Sequence, residues 1–247
     1  MYEIEQDEPP KEFAVAWQCA GMHIQKMGQE GINWLRATLN PPLAEHLSFR
    51  LGNQLIFVYV DTDSFPFTGK RKQLFLNVSE EATAIPCVMQ MQQRLGGFEP
   101  VLEGWGLVHA KTGHGVDPAS LVSNELIEMS NWELHDFSVQ VVRDQLKKEG
   151  KNVFSSQSSL HIDPSIWFED KGKPFWVIVR SGRYPQQQAP RPSNIEAIKS
   201  SCARMSPNGF FASVTAANMN DPLTSDTAMP LYRGHGLHFR YEGLEPV

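Results

Sequence analysis

Ile162-Asp163-Pro164-Ser165-Ile166-Trp167-Phe168, a polar turn at 169–173, and Phe175-Trp176-Val177-Ile178-Val179-Arg180 form the run of sequence that decides the fold. Both apolar stretches are short and rich in β-branched and aromatic residues, and Gly172 sits in the turn between them. That is the pattern of two paired strands, at 165–168 and 175–180. A third strand is expected just upstream, at 152–158. Before it, Ser130 and Glu133 have capping-box spacing, and Leu134, Phe137, Val141, Val142 and Leu146 mark one helical face. Lys147-Lys148 falls at the end of that helix that favours positive charge, and Gly150 closes it. Downstream, the proline-rich stretch 184–192 leads to a helix capped at Ser193, with Glu196 three residues on. Pro207-Asn208-Gly209 then introduces a strand at 210–215, and residues 219–247, rich in Gly, Pro and Asp, read as mostly irregular.

The first half yields a similar order. Ile24, Met27, Ile32, Leu35 and Leu39 recur at roughly helical spacing, which predicts a helix over 22–39 stopped by Asn40-Pro41-Pro42. Strands are expected at 47–50 and 54–61, joined by the turn dipeptide Gly52-Asn53. A loop carrying Pro66 and Gly69 leads to a strand at 73–78. Ser79-Glu80-Glu81 reads as the cap of a helix over 82–95, which Gly96-Gly97 ends before an extended segment at 99–110. Each half therefore reads helix, strand, strand, strand, helix, strand. Either the chain is a tandem of two similar units, or the match reflects how common such alternation is. The expected fold class is mixed α/β (α+β). It comprises an acidic tail at 1–12, an N-terminal unit at 13–123, a C-terminal unit at 124–218, and an irregular tail at 219–247 packed on the core.

The 247 residues are 41 % apolar and 20 % charged, which suits a packed core and excludes a disordered or fibrous chain. The net charge is −6, so no global positive field draws the protein to nucleic acid or anionic lipid. Residues 1–123 carry nine Lys/Arg against fourteen Asp/Glu; residues 124–247 carry thirteen against fourteen. The C-terminal half is thus the better place for an acidic ligand. Three dispersed cysteines, Cys19, Cys87 and Cys202, form no CxxC pair, which argues against a disulfide framework or a structural zinc and fits a reducing compartment. Met1 to Glu8 is acidic with no apolar core, unlike a signal peptide, and the longest apolar runs are strand-sized. The expected location is cytoplasmic.

The order over roughly residues 130–218 resembles the core of the restriction-endonuclease-like, or PD-(D/E)xK, superfamily. In that core a helix precedes a three-stranded meander, followed by a helix and a fourth strand. The family carries an Asp at the start of the second strand, then an acid and a Lys two residues apart on the third. By this resemblance Asp163 stands at the first carboxylate, Ile178 at the second acid and Arg180 at the lysine. Glu133 or Asp136 would match the extra helix carboxylate of some members. The resemblance implies Mg²⁺-dependent phosphodiester cleavage, which needs two or more carboxylates around the metal and a Lys near the water. Ile178 offers no oxygen, and a guanidinium does not serve as a base. The expectation is a degenerate, non-catalytic member with no cofactor, binding another protein. The alternative is a divergent Mg²⁺-dependent nuclease in which Glu133, Asp136 or Glu169 replaces the lost acid.

Other constellations have simpler readings. Asp163-Pro164 also fits turn initiation. Arg180 and Arg183, beside Tyr184, are candidate ligand-binding residues able to grip a carboxylate or phosphate; the plain alternative is a pair of surface arginines at a strand end. His235 and His238 lie among glycines, where a metal-binding helix does not form, and Asp61 and Asp63 suit a solvated turn. No GxSxG, Walker loop or GxGxxG is present. Six Trp and the open strand edges of two sheets admit a homodimer.

Overall fold

The computed structural model describes residues 11–37, 46–224 and 227–247, which fall into two compact units. The fold is mixed α/β, with helices and two sheets. The first unit comprises 11–37 and 46–127, and the second is Glu128–Val247.

In the first unit, helix α1 (Lys11–Gly28) leads into strands β1 (Ile32–Arg36), β2 (His46–Leu51) and β3 (Gln54–Asp61). Helix α2 (Gly69–Glu81), strands β4 (Ile85–Arg94), β5 (Gly97–Pro100), β6 (Leu107–His109) and β7 (Gly115–Val116), and the single turn α3 (Pro118–Leu121) follow. The sheet runs β1-β2-β3-β4-β6-β7, with β5 hairpinned onto β4. Strands β1 to β3 form an antiparallel meander, and β4 joins β3 in parallel after the α2 crossover. The hairpin expected at Gly52-Asn53 is present, with Leu51 opposite Gln54 and Gly52 at φ +56°, a backbone region open to glycine.

Three expectations for this half are corrected. Residues 22–36 are not one helix: α1 starts at Lys11, inside the expected tail, and buries Phe13, Ala16, Trp17, Ala20 and Ile24. Those residues are spaced for one helical face, whereas Ile32 and Leu35 are buried residues of a strand. Residues 73–78 are helical rather than extended. In α2, Phe75 and Ser79 face inward one turn apart, and Leu74 is 58 % exposed. Residues 85–94 form a strand rather than a helix. As the parallel neighbour of β3, β4 is buried on both faces at Pro86, Cys87, Val88 and Met89, so its sequence lacks the alternation of a half-exposed strand. Gly96-Gly97 therefore turns a hairpin instead of ending a helix. The first ten residues and the Asn40-Pro41-Pro42 stop lie outside the described residues.

In the second unit, α4 (Asn131–Lys148) precedes β8 (Asn152–Ser156), β9 (Ile166–Asp170) and β10 (Lys173–Arg183). Helix α5 (Ile195–Cys202), β11 (Gly209–Asn218), β12 (Leu237–Tyr241) and β13 (Glu245–Pro246) complete it. Strands β8 to β10 form an antiparallel meander, and β11 lies parallel to β10. The expected order of the central elements holds, and each unit runs helix, three-strand meander, helix, parallel strand. Two details differ. The N-cap of α5 is Asn194, without a side-chain capping bond, rather than Ser193. The stretch 219–247 is not wholly irregular, because β12 and β13 both extend the sheet along β11.

Strand β10 explains its own composition. Val177 and Val179 meet Val139, Val142 and Leu146 of α4 on one face; Trp176 and Ile178 meet Ile198 and Cys202 of α5 on the other. A strand covered on both faces reads as a continuous apolar run. Gly209 is required beside it, since a Cβ there would lie 2.1 Å from the Trp176 ring. Among the described residues, no helix is long and apolar enough to cross a membrane.

His46, at the start of β2, is buried with its ring stacked on Phe57 at 4.6 Å and edge-on to Phe75 at 5.8 Å. Burial, and then the charge of Arg36, lower its pKa from 6.5 to about 3. The folded imidazole therefore stays neutral where the unfolded one takes up a proton. Its linkage cost is nil above pH 6.5 and grows as pH falls from there toward 3. Urea unfolding over this range is expected to show a steeper acid loss of stability in the wild type than in His46→Phe, and equal slopes would contradict it.

Candidate functional site

The residues singled out in the second unit gather around the first turns of α4 and the C-terminal end of β10. The α4 N-terminus is built as the sequence predicts. Ser130 Oγ accepts from the Glu133 amide at 3.2 Å, and Glu133 Oε2 accepts from the Ser130 amide at 3.0 Å. The same carboxylate is engaged a second time. Arg233 Nε donates to Oε1 at 3.1 Å and Nη2 to Oε2 at 2.8 Å, with the two side chains 3 % and 0 % exposed. A buried charge of this kind persists only when paired. Arg233, contributed by the Gly-rich C-terminal stretch, supplies the pair.

Asp136, one turn on, is also buried. Ser158 Oγ donates to its Oδ1, and Gln140 Nε2 donates to Oδ2 at 2.6 Å. Asp163 lies just before β9. Arg180 grips it bidentately, Nη1 to Oδ1 at 2.9 Å and Nη2 to Oδ2 at 2.6 Å, and Nη1 also donates to the Val179 carbonyl at 2.8 Å. The pair is largely shielded, with side chains 23 % and 12 % exposed. Asp163 is thus more than a turn residue, and Arg180 more than a surface arginine. Ile178, two residues before Arg180, is fully buried beneath α5.

Arg183 is three residues from Arg180 and so leaves the strand on the opposite face. Its Nη2 donates to the Met129 carbonyl at 2.7 Å and to Asn131 Oδ1 at 3.3 Å, and Nη1 stands 3.6 Å from Glu128. The two guanidinium forks therefore serve different partners. Both still border one cleft of about 400 Å³, shared with Leu134, His135, Leu160 and Gln186. Tyr184 is half-buried, and its amide donates to Ala216.

The remaining candidates lie elsewhere. Glu169 is exposed on β9 opposite Pro174 and Asn152. His235 is an exposed turn residue against Tyr232, and His238 is exposed on β12. In the first unit, Asp61 Oδ1 accepts from the Phe67 amide, and burial raises the carboxyl pKa above its usual value. Burial pushes the Cys87 thiol up to about 12; burial and then the Asp163 charge push Cys202 to about 11, so neither is poised as a nucleophile. Among the described residues, no three His, Cys, Asp or Glu side chains are grouped to hold a metal ion.

Sequence reasoning found Glu133, Asp136, Asp163 and Arg180 but missed the distant partners of the first two. Arg233 is a lone arginine a hundred positions from Glu133, and Ser158 sits in a polar run at a strand end. Spacing carries no trace of either contact. The one available signal was chemical, since an acid at the third position of a helix with an apolar face calls for a cation if it is buried.

Residues 132–247 match the model of a family described as a domain of unknown function, DUF8840. The match runs from the start of α4 to the end of the chain and so covers the gathered residues from Glu133 to Arg233. No curated protein and no solved structure matches the chain.

Removing Glu133 takes from the buried Arg233 the carboxylate its fork grips. Glu133→Ala is expected to lower unfolding stability by about 3–5 kcal/mol, measured by urea denaturation. A loss of the size of a helix cap alone, about 1 kcal/mol, would show that Arg233 finds another counter-charge.

Proposed function

We propose that the second unit is a degenerate restriction-endonuclease-like core that has given up catalysis and acts by binding, with another protein as the partner. The observation that carries this reading is the bidentate Asp163–Arg180 pair. Where a nuclease would present a carboxylate to Mg²⁺ and a lysine to water, here the carboxylate is claimed by a guanidinium. Both Asp163 oxygens are engaged, and Arg180 is neither a metal ligand nor a base. Ile178 brings no oxygen to the site. Glu133 and Asp136, the candidates to replace it, are engaged by Arg233 and by Ser158 with Gln140.

The cleft bordered by Arg180 and Arg183 is the binding surface in this reading. Its polar groups are balanced, since Asp163 and Glu128 offset the two arginines. Leu134 and Leu160 add apolar wall, a mixture suited to a peptide segment rather than a phosphodiester backbone. The free thiols of Cys19, Cys87 and Cys202 accord with a cytoplasmic setting.

Thermal unfolding with and without Mg²⁺ and Mn²⁺, on the wild type and on Asp163→Ala, tests the reading. Neither metal is expected to raise the midpoint of either protein, and no plasmid or single-stranded DNA should be cut. A metal-dependent rise in the wild type that disappears in Asp163→Ala would instead establish a divergent Mg²⁺-dependent nuclease.

A further inference from the structure

Helix α2 of the first unit carries its charges against its own dipole. Lys70, Arg71 and Lys72 occupy its first turn, and Glu80 and Glu81 its last. The N-terminal end of a helix favours acids and the C-terminal end bases, so each of these charges opposes the field in which it sits. Among the described residues, none of the three side chains makes an ion pair or hydrogen bond, and the adjacent acids Asp61 and Asp63 do not pair with them. The cations are held in place all the same. The Arg71 guanidinium lies 4.0 Å over the Phe65 ring and the Lys72 ammonium 5.6 Å over Phe67. Phe65 in turn rests on Phe13 of α1 at 4.3 Å, which fixes the platform to the core. Aromatic faces position a cation but do not cancel its charge.

The exposed face of α2 extends this cluster. Gln73, Leu74 and Asn77 lie three, four and seven positions beyond Lys70, on the same side of the helix, and Leu74 is the large exposed apolar side chain among them. Gln73 Nε2 donates to Asn77 Oδ1 at 2.7 Å, so the two amides are held together. Phe75 and Ser79 take the inward face, so Leu74 serves no core. A fold commonly departs from favourable local chemistry at a functional surface.

We infer that the first two turns of α2, where Lys70 and Arg71 flank the exposed Leu74 and Lys72 adds its charge from the adjoining side, are a docking site for an acidic peptide segment of a partner protein, one carrying carboxylates on either side of an apolar residue. Charge complementarity selects an anion. A nucleic acid is the poorer match, because residues 1–123 as a whole carry fourteen acids against nine bases and repel an extended polyanion. Three cations within one turn, beside one exposed leucine, fit a short acidic segment. This surface lies in the first unit and does not rest on the Asp163–Arg180 reading, so either can fail without the other.

The test is fluorescence anisotropy with a short labelled peptide of glutamates flanking a leucine, alongside a thymidine oligonucleotide of equal charge. The full chain is compared with Lys70→Glu/Lys72→Glu and with Leu74→Ser, circular dichroism confirming that each variant is folded. The wild type is expected to bind the peptide more tightly than the oligonucleotide, and more weakly as salt rises. The charge reversal should weaken peptide binding by about tenfold or more. It should also raise the thermal midpoint, because it restores the charge order that the helix favours. Leu74→Ser should weaken binding with the salt dependence unchanged. Absence of peptide binding by the wild type, equal binding by the charge-reversed variant, or tighter binding of the oligonucleotide would each overturn the inference.

Discussion

A carboxylate taken out of water needs a partner, and in the second unit that requirement organises everything around the N-terminal half of α4. Glu133 is wholly buried and meets it twice, through the capping box with Ser130 and the ion pair with Arg233. The pair brings the C-terminal stretch onto the start of α4, and the Met129 amide donates to the Leu231 carbonyl in the same place. Asp136 draws Ser158 from the end of β8, and Asp163 holds the segment before β9 to the end of β10. Each acid thus ties a loop to the helix-and-sheet core. Desolvation makes the ties obligatory, because breaking one leaves a charge that water cannot reach.

The same requirement bears on chemistry. A metal site needs carboxylates whose charge the protein has left unspent, held together around an open space. Here the negative charges are spent on guanidinium groups and on hydroxyl and amide donors. Arginine suits this role better than lysine, since its planar fork meets both carboxylate oxygens and its charge does not titrate. Helix α2 is the opposite case: among the described residues its three N-terminal cations pair with no acid, and Arg71 and Lys72 are steadied on aromatic rings.

How far the sequence could be read follows from these physical differences. The meander of β8 to β10 and the capped α4 were legible, because Ser130, Glu133, Gly150 and Gly172 punctuate short apolar runs of clear period. The hairpin at Gly52 was legible for the same reason. The stretch 69–94 was misread, with helix and strand exchanged. Helix α2 buries little beyond Phe75 and Ser79, so its apolar residues do not mark a face, and β4 is covered on both faces and shows no alternation. Of the site, sequence supplied the acids and Arg180. It missed Arg233 and Ser158, because a contact between distant segments leaves no period or spacing to detect.

The central claim is that Asp163 belongs to Arg180 rather than to a ligand, and a double-mutant cycle of Asp163→Asn and Arg180→Gln measures this directly. The stability of the two single variants and the double variant, from urea unfolding, gives the coupling between the side chains. The account predicts a coupling of at least about 1 kcal/mol, with the double variant less damaged than the sum of the single ones. Additivity to within about 0.3–0.5 kcal/mol would contradict it, and would leave the Asp163 carboxylate free for another partner.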